Sequence, residues 1–396
     1  MKRNPPPLDG VTVVSIEQAI AAPLCTRQLA ELGARVIKIE RPDGGDFARH
    51  YDDRVKGLSS HFVWTNRGKE SLTLNLKNPA GQRVIERLLT QADVLVQNLA
   101  PSAASRLGLG FDSLHPRFEK LIVCNISGYG NDGPYADKKA YDLLVQAEAG
   151  FLSVTGLPDA LVKSGISIAD IAAGMQAHAA ILAALIQRSK TGSGSCIDIS
   201  MLEAMTEWMG FPLYYAYEGA EPPARSGADH ASIYPYGVFT TASGESILLG
   251  MQNEREWQAF CAQVMNDDRL AVDERYDSNQ KRSENRDVLR ELIQGRFSAM
   301  DAATICSKLD TAHIAYARAN DMKAVWQHPQ LRALQRFVEI DSPAGRIETL
   351  EPPGRSSDYN PRLGAVPDLG EHTRQILESL DFSAQEIGQM REDAVI

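Results

Sequence analysis

The sequence predicts an α/β protein, with a large domain built on a mainly parallel sheet and a smaller α+β domain beside it. Three observations lead there. A β-α-β unit occupies the first forty residues, strand and helix then alternate regularly up to residue 199, and the pattern changes after Phe211. At 396 residues the chain can bury a large core and form more than one domain.

Residues 11–16 are a β-branched run after Asp9-Gly10 and read as a strand. Residues 23–32 carry helical spacing and stop at Gly33, and 35–39 read as a second strand. Such a unit predicts a parallel pair with a right-handed crossover. Residues 71–76 read as a strand, and 80–91 as a helix opened by Asn78-Pro79, with proline tolerated in the first turn. Residues 93–97, 121–126 and 196–199 read as further strands of the same sheet. The most apolar stretch, 166–186, carries Asp170 near its start and Gln176 and His178 in its middle. It reads as a buried helix and not as a membrane span.

After Phe211 the segment 218–229, with Gly219, Pro222, Pro223 and Gly227, reads as a linker. A hairpin of 238–241 and 246–251 follows, with helices at 254–265 and 285–297. A strand at 337–341, a proline-rich crossing at 352–361 and a final helix at 370–380 complete the chain. The expected division is therefore 1–217 (large domain), 218–229 (linker), 230–325 (small domain), 326–336 (second linker) and 337–396 (a return to the large domain).

Composition excludes several classes of function. The net charge is -10 and no basic stripe appears, so no nucleic-acid partner is expected. The five cysteines are dispersed, and no His/Cys spacing suits a metal. Reduced thiols, and an N-terminus whose two basic residues run into three prolines, lead us to expect a cytoplasmic protein. No G-x-x-x-x-G-K-[ST], G-x-G-x-x-G, G-x-S-x-G or H-E-x-x-H occurs.

An ordered set of blocks is similar to class III CoA-transferases, the family of formyl-CoA and carnitine-CoA transferases. Residues 10–46 hold an A-x-P turn, a helix ending LGA, and VIKIERP. NRGKESLTLNLK follows at 66–77, VQN at 96–98, RLG at 106–108 and AYD at 140–142. The most telling block is SGISIADIAAGMQAHAAILAALIQR at 164–188, and PDLGEHT stands at 367–373. Together they span almost the whole chain. The resemblance implies a Rossmann-like large domain and an interlocked homodimer. It also implies CoA as co-substrate, no prosthetic group, and an acyl-CoA and a carboxylic acid as substrates.

Asp170 has two readings. Ser167-x-x-Asp170 fits a capping box, in which the carboxylate satisfies backbone donors of its own helix. By resemblance Asp170 is the nucleophile that attacks a thioester carbonyl, held ionised by the positive helix end; the resemblance favours the second, and the two can coexist. It also places Arg41, Asn98, Arg106 and Lys139 at CoA, with Ala21, Lys77 and Leu107 beside them. Asp142 stands where formyl-CoA transferase has glutamate. Gln18 stands where some relatives have histidine. His178 reads as a core group. His230 and Tyr234 lie in the loop 225–236 that the resemblance turns toward the acyl group, and with Arg225 they suggest a second carboxylate on the substrate. The expected pair is thus succinyl-CoA and a dicarboxylate such as itaconate, mesaconate or citramalate. The α-methylacyl-CoA racemases are the alternative of the same fold, but Tyr141 replaces their histidine base, and an unperturbed phenol is a poor base near neutral pH. A CoA-binding protein without catalysis is the other alternative.

Overall fold

The computed structural model describes residues 3–396; Met1 and Lys2, at the head of the N-terminal segment read above, lie outside them. The chain opens with β1 (Thr12–Ile16), α1 (Ala21–Glu31), β2 (Arg35–Glu40), α2 (Ser60–Asn66), β3 (Lys69–Thr73) and α3 (Pro79–Leu89). Next come β4 (Val94–Gln97), α4 (Pro101–Arg106), α5 (Phe111–Leu114), β5 (Ile122–Ser127) and α6 (Asp142–Glu148). After α7 (Phe151–Val154) and the short strands β6 (Gly156–Leu157) and β7 (Ala160–Leu161) stand α8 (Ile168–Thr191), β8 (Cys196–Ser200) and α9 (Met201–Trp208). The later strands are β9 (Tyr236–Thr240), β10 (Ser246–Gly250), β11 (Ala315–Arg318), β12 (Phe337–Ile340) and β13 (Ile347–Leu350).

The chain divides into two units. The larger takes the chain as far as Gly150, then Ser164–Gly210 and Leu331–Ile396; the smaller takes Phe151–Lys163 and Phe211–Gln330. Phe151–Lys163, which the sequence placed in the large domain, therefore groups with the small one.

The large unit holds a sheet in the order β3-β2-β1-β4-β5-β8. All five pairings are parallel. The strands β1, β2 and β4 are buried nearly throughout, which accounts for their richness in Val, Ile and Leu. From β1 the chain builds outward through β2 and β3, then crosses to β4 on the other side. The carboxyl ends of β1 and β4 thus flank the topological switch point, where open α/β sheets bind their ligands. The return segment packs here too: Leu377, Phe382, Ile387 and Met390 join Ile37, Leu72 and Val123 in one core. The helix expected last, observed as Thr373–Ser379, is followed by another at Ala384–Glu392, opened by a capping box of Ser383 and Glu386.

The smaller unit carries the antiparallel sheet β11-β10-β9. Trp257, Phe260, Tyr276 and Phe297 fill its core. The helix read at 254–265 is α-helical over Glu254–Ala259 and passes into a π-helix over Phe260–Met265.

Candidate active site

Asp170 is the third residue of α8. The expected capping box does not form, because Ser167 makes no side-chain cap bond. The helix is capped instead from α6. Asp142 accepts through Oδ1 from the backbone N–H groups of Ala169, at 2.8 Å, and Asp170, at 3.3 Å. Its Oδ2 accepts from the Gln146 side-chain amide, and Gln146 in turn accepts from the Ser164 N–H at 2.9 Å. The donors of the first turn of α8 are thus satisfied by a neighbour. The Asp170 carboxylate is left free of its own helix.

That carboxylate accepts instead from the Ala21 N–H, at the start of α1. Burial first, and then the like charge of Asp142, push Asp170 up to about 7, against the pull of the Ala21 N–H. The helix end therefore does not hold the group fully ionised, as the sequence led us to expect. It is a carboxylate poised near neutrality, which is a frequent mark of a reacting group.

The approach of α1 and α8 depends on Gly174, one turn beyond Asp170. A Cβ there would stand 2.6 Å from the Ala21 carbonyl oxygen, so the two backbones meet where only glycine fits. Ala21 is carried by a turn that leaves β1 at the switch point. Asn98, just beyond β4, clamps that turn by accepting from the Gln18 N–H at 3.0 Å and donating to the Gln18 carbonyl at 2.9 Å. Ala19 follows with φ 64, the left-handed region that L side chains avoid. Its N–H donates to Asp46 at 3.1 Å.

The structure brings Gln18, Ala21, Asn98, Tyr141 and Asp142 to the surroundings of Asp170. Tyr141 is exposed at the start of α6. Sequence reasoning missed Tyr51, whose phenol is pushed up to about 12 by burial and then by the charges of Asp46, Asp170 and Tyr141. The cations named for CoA have a simple common placement. Arg41 follows β2, Lys77 follows β3, Arg106 and Leu107 end the helix after β4, and Lys139 follows β5. All four cations are exposed, and all lie beyond the carboxyl ends of parallel strands. Among the described residues Arg41 forms one ion pair, with Asp43 at 3.7 Å.

His178 is half-buried in α8, its pKa lowered by burial, in keeping with a neutral packing group. In the smaller unit, His230 Nδ1 accepts from the N–H groups of Ser232 and Ile233, and its ring stacks on Tyr236. Tyr234 is fully buried in that unit's core. Its expected contact with substrate gives way to packing, because its ring has no exposed surface. The helix α8 is not buried all round either: Met175 and Ile186 are exposed, and burial falls on the face of Ala169, Ala173, Ala177 and Ile181. The cysteines are unbridged. Burial raises Cys25 and Cys124, and carries Cys261 and the β8 residue Cys196 up to about 12, with Asp198 adding to the rise at Cys196.

Comparison with known proteins agrees with this fold. The sequence model of CoA-transferase family III matches residues 8–373. The succinyl-CoA:glutarate CoA-transferase of Mus musculus is 32% identical over 378 residues, covering 94% of this chain and 86% of that protein. The succinyl-CoA–D-citramalate CoA-transferase of Chloroflexus aurantiacus is 30% identical, covering 96% and 95%. Among solved structures, a CAIB/BAIF family protein from Brucella suis superposes with a TM-score of 0.86 at 31% identity, over 96% of this chain and 100% of that one.

Proposed function

This chain belongs to CoA-transferase family III, and from that premise we propose that it moves CoA from succinyl-CoA to a small dicarboxylic acid through a covalent intermediate on Asp170. The observation that carries the reading is the freed carboxylate of Asp170, tuned to about 7 and set at the switch point against the start of α1. The activities of relatives, toward glutarate and citramalate, favour a dicarboxylate acceptor. Itaconate and mesaconate remain acceptors of the same chemical class.

The sequence of bonds balances without a net proton. The Asp170 carboxylate adds to the thioester carbonyl; a C–O bond forms, the C–S bond breaks, and CoA leaves as thiolate from a mixed anhydride. The thiolate adds to the aspartyl carbonyl, which releases succinate and leaves an aspartyl-CoA thioester. The acceptor carboxylate then displaces CoA to give a second mixed anhydride. Finally the thiolate attacks the acceptor's carbonyl and regenerates Asp170. Charge develops on a carbonyl oxygen at each stage, and the Ala21 N–H is a donor already aimed at this carboxyl group. Arg41, Lys77, Arg106 and Lys139 supply cations for the CoA phosphates from one edge of the sheet.

The test is incubation with succinyl-CoA and a panel of glutarate, citramalate, malate, itaconate and mesaconate, with new CoA esters followed by mass spectrometry. Transfer by the parent that falls by roughly a thousandfold or more in Asp170→Ala supports the reading. Transfer that survives the substitution removes Asp170 from the chemistry. A parent that uses only monocarboxylates overturns the substrate class.

A further inference from the structure

Beneath the turn that presents Ala21 lies a lattice of buried charge that touches no reacting atom. Lys38 on β2 and Lys69 on β3 point into it, facing Glu17 and Asp46; all four side chains are fully buried. Lys38 Nζ stands 2.8 Å from Asp46 Oδ2 and 3.5 Å from Glu17 Oε1. Lys69 Nζ donates to Glu17 Oε1 at 2.6 Å and to the Pro23 carbonyl, in the first turn of α1, at 2.9 Å. Glu17 also accepts from the Thr26 hydroxyl of α1 at 2.7 Å. Two cations thus meet two anions, which is what burial of such groups requires.

Asp46 divides its oxygens between two tasks. Oδ2 takes the Lys38 ammonium. Oδ1 accepts from Ala19, the strained left-handed residue, at 3.1 Å, and from Ala48 at 2.9 Å. Its own N–H is held at 3.0 Å by Glu40, which Arg49 pairs in turn. A longer side chain would overshoot Ala19, and an amide would turn a donor onto Lys38. Left-handed alanine persists only where its surroundings enforce it, and Asp46 is the side chain that bonds its N–H here.

We propose that Asp46, backed by Lys38, is a positioning residue: it clamps Ala19 in the left-handed conformation so that the Ala21 N–H is presented to Asp170. Its consequence for turnover rests on the reading of Asp170 given above; the clamp itself does not. The groups that face Asp170 are Asp142 of α6, Tyr51 and the Ala21 N–H. Those that face Asp46 are Lys38, Lys69, Glu17, Glu40, Arg49 and Tyr51.

The experiment follows the Asp170 carboxyl directly, by 13C NMR of carboxyl-labelled aspartate, with the signal assigned by its loss in Asp170→Asn. Two double variants remove the same charges. Lys38→Met with Asp46→Asn keeps an oxygen for Ala19, and Lys38→Met with Asp46→Leu does not. The first should titrate within about 0.3 unit of the parent, and the second about one unit higher, because the Ala21 N–H no longer favours the ionised form. The kcat of the second should fall about tenfold, with KM for the acyl-CoA within threefold. Equal titration of the two doubles overturns the proposal. If the leucine double does not fold, Ala19→Val takes its place. A β-branched residue resists the left-handed φ and should give the same rise, whereas Ala19→Gly should match the parent. A valine variant that titrates like the parent also overturns it. A parent without transferase activity refutes the transfer reading and leaves this titration to decide the clamp.

Discussion

Asp142 serves two purposes with one carboxylate. It caps α8 through the Ala169 and Asp170 N–H groups, and its charge helps keep the Asp170 pKa high. Asp142→Ala should lose about 1 kcal/mol of cap stability, a fall in Tm of roughly 2–4 °C. It also removes a like charge, so Asp170 should ionise at lower pH. The acidic limb of the pH–rate profile, near 7 in the parent, should therefore move to lower pH; a limb that stays in place refutes the electrostatic role. The place of Asp170 was legible in the sequence, but its surroundings were not. Ser167-x-x-Asp170 looks like a cap because local spacing is all that a short pattern contains, and a tertiary contact from α6 supplied the acceptor instead. The buried Lys38 had left a trace: a lysine between isoleucines in a strand buried on both faces must have a partner. Glu17 and Asp46 could be identified as those partners only once the chain was folded.

At the scale of elements, strands rich in Val and Ile were found to within a residue or two. β1, β2, β4, β5 and β8 all emerged where expected. β3 did not: it begins at Lys69, two residues early, since its first two residues, Lys69 and Glu70, are both charged and gave no apolar signal. The short α2 and the final helix at Ala384–Glu392 went unread because brief elements carry little periodic signal, although Ser383 and Glu386 mark the latter. The crossing of α1 and α8 is set by a single residue. Gly174→Ala puts a methyl 2.6 Å from the Ala21 carbonyl, so one helix must shift. Overpacking of this kind costs about 1–3 kcal/mol, which should lower Tm by several degrees. Because the shift separates Ala21 from Asp170, kcat should fall by roughly a hundredfold, more than the loss of stability alone produces. A variant with a lowered Tm and unchanged kcat separates packing from positioning and refutes this account.

At the scale of the molecule, an acidic protein of net charge -10 carries Arg41, Lys77, Arg106 and Lys139, all exposed, in segments that follow strands of one sheet. The grouping of Phe151–Lys163 with the smaller unit was illegible, because it rests on contacts distant in sequence. The assembly remains a proposal. Phe211, Leu213, Tyr214 and Tyr217 of the smaller unit are each more than half exposed, and this apolar stretch favours the homodimer that the family resemblance implied. Light scattering after size exclusion should give twice the chain mass of 43.4 kDa; a monomer at micromolar concentration refutes the dimer.

An enzyme that handles thioesters also exposes its own sulfur to them. An acyl group passes readily to a thiolate and slowly to a thiol. Burial keeps Cys25, Cys124 and Cys261 protonated, and Asp198 helps do the same for the more accessible Cys196. At neutral pH these four side chains are poor acceptors, so they do not compete with CoA for the activated acyl group.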